Sequence, residues 1–156
     1  MSKILPIIKH PNPILRKKSV KINKKDLKIQ EFQQLYFDMA ETMLKEDGSG
    51  LSAPQIGKNI RFITVNTKDG VLGMINPEII KKSWATEWHE EGCLSIPNIY
   101  GKIKRNKKVS CNFIDIKGKE KLIEACGLMA FIIQHEIDHL NGILFIDKAK
   151  DIEKLS

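Results

Sequence analysis

Three cysteines in 156 residues are too few, and odd in number, for a disulfide framework. Long apolar runs are also missing. The longest candidate, from Leu128 to Ile133, stops at Gln134 and is far too short to cross a bilayer. The opening "MSKILPIIKHPNP" is broken by prolines and is neither a secretory signal nor an Arg/Ser-rich transit peptide, so a cytoplasmic location is expected. No internal repeat or low-complexity linker is visible. Aromatic residues make up only 6% of the chain. They do not interleave with lysines as a stacking platform would, and no recognition-helix pattern is present. The net charge of +7, from 26 Lys and Arg against 19 Asp and Glu, is densest in "RKKSVKINKK" and "GKIKRNKK". It reads as solvated lysine-rich faces, with at most weak attraction to anions and no specific nucleic-acid partner. These absences exclude a membrane protein, a disulfide-stapled secreted module and a sequence-specific nucleic-acid binder.

The composition that remains, 42% hydrophobic and 29% charged, suits a globular core. The length suits one catalytic domain over residues 1–156. The first 20 residues read as an extended arm, because Pro6, Pro11 and Pro13 exclude a regular helix. His10, in that arm, reads as structural. "DLKIQEFQQLYFDMAETMLKEDG" reads as a helix capped by Asp26, with Phe32, Leu35, Tyr36, Met39 and Met43 on one face and Gly48 at its end. "IRFITV" and "VLGMIN" read as strands, and "EIIKKSWATEWHEE" as another strand pair in which Trp84 and Trp88 pack on the sheet. "KKVSCNFID" puts Val109, Cys111 and Phe113 on one buried face, and "KLIEA" is a short strand. An apolar helix then runs from about Gly127 to Leu140 and is closed by Asn141-Gly142, with Cys126 expected to be buried at its start. Strands joined by short turns favour antiparallel pairing. The expected fold class is α+β, with antiparallel sheets packed around the last helix and an added N-terminal helix.

That last helix carries "QHEIDH". His135 and His139 lie one turn apart on one face and can share a divalent metal, and Glu136 between them can act on a metal-bound water. By chance H-E-x-x-H should occur in well under ~1% of chains this long. Leu128, Met129, Phe131, Ile132, Ile133 and Ile137 make the helix apolar nearly all round. Two histidines and two acids buried there need something to satisfy them, and a metal does. A catalytic site of the zinc type wants a third protein ligand. The pattern H-E-x-x-H-x-x-G-x-x-H is met at Gly142 and fails at Phe145. Asp147, Asp151 and Glu153 lie downstream, but too little chain follows to carry one of them back, so the ligand is expected upstream. His89, Glu90, Glu91 and Cys93 are the candidates.

"GSGLSAPQIG", "EGCLS" and "QHEIDH", in this order, resemble the three motifs of the peptide deformylases. The likeness extends to "PILR", "INPEI" and "NGILFID" and covers essentially the whole chain. The resemblance implies that Cys93, His135 and His139 are the metal ligands and that Glu136 is the catalytic acid/base. It further implies that Gln55 and the Leu94 N–H donate to the developing oxyanion. The implied cofactor is one divalent metal, Fe(II) in the cell, with zinc, nickel or cobalt as substitutes; ligand type alone points to zinc. The implied reaction is hydrolysis of the N-formyl group from the initiating methionine of nascent polypeptides. A metal-bound water or hydroxide attacks the formyl carbon, Glu136 acts as base and then acid, and formate is released. Ser49, Gly50, Leu51, His89, Glu91, Gly92, Leu128, Phe131 and Ile132 are expected around the substrate. Arg105 is expected behind Glu91, bracing the Cys93 loop. A transient ribosome contact would use basic surface other than the longer C-terminal helix of some members.

The chain departs from the family pattern at three places. Ser49 stands where an apolar residue is usual, Ser52 where alanine is usual, and His89 at an often apolar position of the methionine pocket. A hydroxyl and an imidazole facing a thioether predict weaker selection for methionine. Two other readings compete. A small metallopeptidase shares the metal, water and glutamate but lacks a reason for "EGCLS". A metal-binding or redox-sensing protein would need neither Glu136 nor Gln55.

Overall fold

A computed structural model describes residues 2–155. In chain order its elements are α1 (Ile29–Lys45), β1 (Gly50–Ser52), β2 (Phe62–Thr67), β3 (Gly70–Lys82), β4 (Thr86–Cys93), β5 (Ile96–Asn106), β6 (Lys108–Ile114), β7 (Glu120–Cys126), α2 (Leu128–Leu140) and β8 (Lys150–Lys154). The strands form a five-stranded sheet in the order β1-β2-β3-β6-β7 and a three-stranded sheet in the order β4-β5-β8. Every strand pair in both is antiparallel, as expected for an α+β chain whose turns are short. No helix among the described residues is long and apolar enough to cross a membrane.

The apolar faces collect into three clusters. α2 lays Ala130, Ile133, Ile137 and Leu140 against Ile63, Val65, Met74, Cys111 and Phe113 of the larger sheet. α1 packs Phe32, Met39 and Met43 against Leu51, Phe62 and Ile75. Under the smaller sheet, Leu15, Leu144 and Phe145 meet Ile96 and Ile103. α2 thus touches β1, β2 and β7 on one side and β5 on the other, so residues on it can meet side chains from both sheets. Cys111 is fully buried as its alternation implied, and burial pushes its thiol up to about 11.

Four local expectations are corrected. The segment 78–91 is not a strand pair: its first half continues β3 and its second half is β4, in the other sheet. The chain changes sheets over 83–85, where the Ser83 N–H donates to the Lys108 carbonyl and the Lys107 N–H to the Ala85 carbonyl, so both crossings share one corner. Asp26 does not cap α1. It ends a 3-10 turn capped by Asn23, and the helix starts at Ile29 without a side-chain cap. Trp84 is fully exposed on that corner, and Trp88 is half exposed with the Lys150 ammonium 5.5 Å from its ring centre. Cys126 is exposed, because β7 is the edge strand and Ala125 takes the inward position.

Candidate active site

α2 starts after Gly127, whose φ of 62° suits glycine, and its last residue, Leu140, is followed by Asn141 and then Gly142, whose φ is 74°. A side chain on Gly142 would also overlap the Arg16 carbonyl. Arg61 secures the helix end by donating to the Leu140 carbonyl at 2.9 Å and to Asn141 Oδ1 at 3.0 Å. The helix therefore presents His135, Glu136 and His139 from a rigid support, and all three are buried. The two imidazole ring centres are 5.0 Å apart.

Cys93 arrives from the end of β4, where the register with β5 breaks between Glu91 and Cys93. Its Sγ lies 3.2 Å from His139 Nε2. The ligand atoms of Cys93, His135 and His139 all lie within 4.8 Å of one another. Downstream, β8 pairs with the outer edge of the smaller sheet and is exposed throughout, so its acids do not join this group.

The Glu91 carboxylate sits behind His135. It accepts from Arg105 Nε at 2.7 Å and Nη2 at 2.9 Å, and its Oε1 is 2.7 Å from His135 Nδ1. Arg105 also donates to Asp138 at 2.8 Å. Burial pushes the Glu91 carboxyl up, but the hydrogen bonds from Arg105 and His135 outweigh it and hold it at about 2. His135 is thereby oriented with Nε2 toward Cys93. Burial disfavours its charged form, yet Cys93, Glu136 and Glu91 raise its pKa well above the ordinary value. His139 is pulled well below by burial and by its cationic neighbours. The ligand atoms of the three side chains converge on one point. A soft thiolate and two imidazoles converging there form a donor set that fits a divalent ion.

Glu136 Oε1 is buried with no hydrogen-bond partner among the described residues. Burial pushes this carboxyl up to about 7, against the pull of His135. Gln55 projects from the 3-10 turn Ala53–Ile56. Its Oε1 accepts from the Ser52 N–H and the Ser52 hydroxyl, each at 2.9 Å, which turns its amide nitrogen toward Ser95 Oγ at 3.1 Å and Cys93 Sγ at 3.6 Å. Ser52, a departure from the family pattern, thus adds a hydroxyl that fixes this amide.

These groups open on a cleft of about 610 Å³ whose walls include Ser49, Gly50, Gln55, His89, Glu91, Gly92, Leu94, Leu128, Phe131, Ile132 and Glu136. Leu128 is exposed at its mouth, not buried in the core as the all-round apolarity of the helix suggested. Leu51 is absent from the walls. It is fully buried under α1, because the alternation of β1 turns it inward. The His89 ring stacks on Phe131 at 4.2 Å, and its Nε2 lies 2.7 Å from Glu91 Oε2 but out of line for a hydrogen bond. A larger concavity of about 850 Å³, lined by residues such as Lys21, Asn76, Glu78 and Lys121, holds no histidine or cysteine. Ser95 and Asp138 lie inside the quoted motifs, but no function was read for either; only the contacts to Gln55 and Arg105 single them out.

The polypeptide deformylase family model matches residues 4–155. The chain belongs to the polypeptide deformylase family. A peptide deformylase of Helicobacter hepaticus is 42% identical over 153 residues, covering 92% of this chain and 82% of its own. A class I type b peptide deformylase from Acinetobacter baumannii, bound to the ligand K1U, superposes with a TM-score of 0.90 at 36% identity, covering 93% of this chain and 99% of that one. The Met-ala-ser bound structure of the Acinetobacter baumannii class I type b enzyme gives 0.89 at 34% identity, covering 95% and 99%.

In this deformylase family member Gly50 faces the glutamate directly. A Cβ there would lie 2.7 Å from Glu136 Oε2 and 2.9 Å from Ile132 Cγ2. Gly50→Ala should displace the carboxylate and lower the deformylation rate by about 10²-fold, with an unchanged far-UV circular dichroism spectrum. A variant of wild-type rate would show that Glu136 gives way without consequence.

Proposed function

We propose that residues 1–156 act as one catalytic domain that removes the formyl group from the N-terminal methionine of nascent polypeptides in the cytoplasm, releasing formate. The observation that carries this reading is the placement of the buried Glu136 carboxyl beside the Cys93, His135 and His139 cluster in a deformylase-family chain. Cys93, His135 and His139 would hold one divalent ion, Fe(II) by family resemblance, with zinc, nickel or cobalt as substitutes. Bound there, the ion supplies Lewis acidity toward water and toward the formyl carbonyl.

The remaining work falls to side chains and backbone. Glu136, whose carboxyl burial places at about 7, takes a proton from the attacking water and passes it to the leaving amine nitrogen. Water adds to the formyl carbon, the C–N bond breaks, and formate and a free amino terminus leave. Gln55 Nε2 and the Leu94 N–H donate to the carbonyl oxygen as it becomes negative. Leu128, Phe131 and Ile132 supply an apolar wall for the methionine side chain, with Ser49 and His89 as its polar members. Glu91 and Arg105 act through His135 and the Cys93 loop. Nascent formylated chains are the partner, and any ribosome contact is transient.

Anaerobically prepared, iron-loaded protein should release formate from formyl-Met-Ala-Ser, and Glu136→Ala should lower kcat by about 10²- to 10⁴-fold. Absence of formate from fully loaded protein would overturn the reading. Arg105→Ala should weaken metal retention by about 10- to 100-fold, read as metal content after dialysis against a chelator. Full retention with full activity would count against the bracing role. Because Ser49 and His89 reduce the apolar character of the pocket, kcat/KM should favour formyl-Met over formyl-Ala peptides by less than about 10²-fold. A preference above about 10³-fold would sink that expectation.

A further inference from the structure

Residues 8–10 of the N-terminal arm are stitched, one after another, to the two segments that carry the proposed oxyanion donors. The Ile8 N–H donates to the Gln55 carbonyl at 2.7 Å, and the His10 N–H to the Ser95 carbonyl at 2.8 Å. Between them the Lys9 ammonium donates to the Leu94 carbonyl at 3.0 Å. The two flanking bonds use backbone groups, which any residue except proline could supply. The Lys9 bond uses a side chain and therefore depends on this residue.

No strand ladder joins the segments that Lys9 and its neighbours bridge. Gln55 belongs to the turn after β1 of the larger sheet, and Leu94 to the turn between β4 and β5 of the smaller one. Lys9 is exposed, lines the cleft beside Leu94, and forms no ion pair among the described residues. A lysine with water available loses side-chain freedom by binding a neutral carbonyl. Such a contact adds little to folding stability but restricts a turn. The Leu94 N–H and C=O are separated by only two soft dihedrals, so anchoring the carbonyl limits where the N–H points. A donor's strength falls steeply as its angle departs from linear.

We propose that Lys9 is a positioning residue for deformylation: by holding the Leu94 carbonyl, it keeps the Leu94 N–H aimed, beside Gln55 Nε2, at the oxygen that becomes negative. The inference rests on the reading of Gln55 and Leu94 as oxyanion donors. Loss of a whole donor costs about 10²- to 10³-fold in kcat, so loosening one should cost a fraction of that, about 5- to 30-fold.

The test compares iron-loaded wild-type protein with Lys9→Met and Lys9→Arg on formyl-Met-Ala-Ser. Lys9→Met should lose about 5- to 30-fold in kcat while KM, metal content and Tm stay at wild-type values. Lys9→Arg keeps a cationic donor and should recover most of the rate. A wild-type kcat in Lys9→Met would overturn the proposal. So would a raised KM with unchanged kcat, which marks a substrate contact, or a fall in Tm or metal content that tracks the lost activity, which marks a structural role. All three outcomes leave wild-type formate release and its loss in Glu136→Ala intact, so they are separable from failure of the deformylase reading itself.

Discussion

The arrangement depends on one buried carboxylate. Glu91 accepts two bonds from Arg105 and lies 2.7 Å from His135 Nδ1. It therefore links β4, β5 and α2 in a single interaction. Charges withdrawn from water are costly unless each finds a partner of good geometry. Here Arg105 is shared between Glu91 and Asp138, and Asp138 also accepts from Lys148 at the surface. The network delivers orientation more than stability. With Nδ1 engaged, His135 can offer only Nε2 to the cluster, and the same bonds hold the loop that delivers Cys93.

In front of that network lies the opposite condition. Glu136 Oε1 is buried with no hydrogen-bond partner among the described residues, and Gly50 leaves just enough space for the carboxylate. Glu136 stands on α2 between the fully bonded Glu91 carboxylate and an open cleft. The two glutamates carry the same functional group. Their surroundings hold one at about 2 and raise the other to about 7. In the proposed reaction one stays a structural anion and the other is free to exchange protons near neutrality.

Much of the site was legible before folding because its members come as tight local patterns. The i, i+4 spacing of His135 and His139 has one geometric meaning on a helix, and the apolarity around it implies burial. Cys93 stood out only once a third ligand was demanded, and the sequence left His89, Glu90 and Glu91 as rivals until the family likeness was considered. Elsewhere local reasoning misled. The apolar run of α2 suggested that Leu128 was core, yet an exposed leucine at a cleft mouth has the same composition. Leu51 sits inside a motif, yet a strand alternates its faces regardless of motif membership. β5 turns Gly101, Ile103 and Arg105 inward, so a single apolar residue among the three marks that face and the period-two pattern is weak.

The sequence by itself determined two helices, the α+β class and the ligand-bearing face of α2, because helical periodicity, turn chemistry and residue type act over a few neighbouring positions. Only the tertiary structure decided which sheet each strand joined, that Glu91 also reaches His135, that Ser52 fixes the Gln55 amide, and that Lys9 reaches Leu94. Those contacts join residues far apart in the chain. They exist because two sheets close around one helix, a packing outcome that local periodicity does not encode.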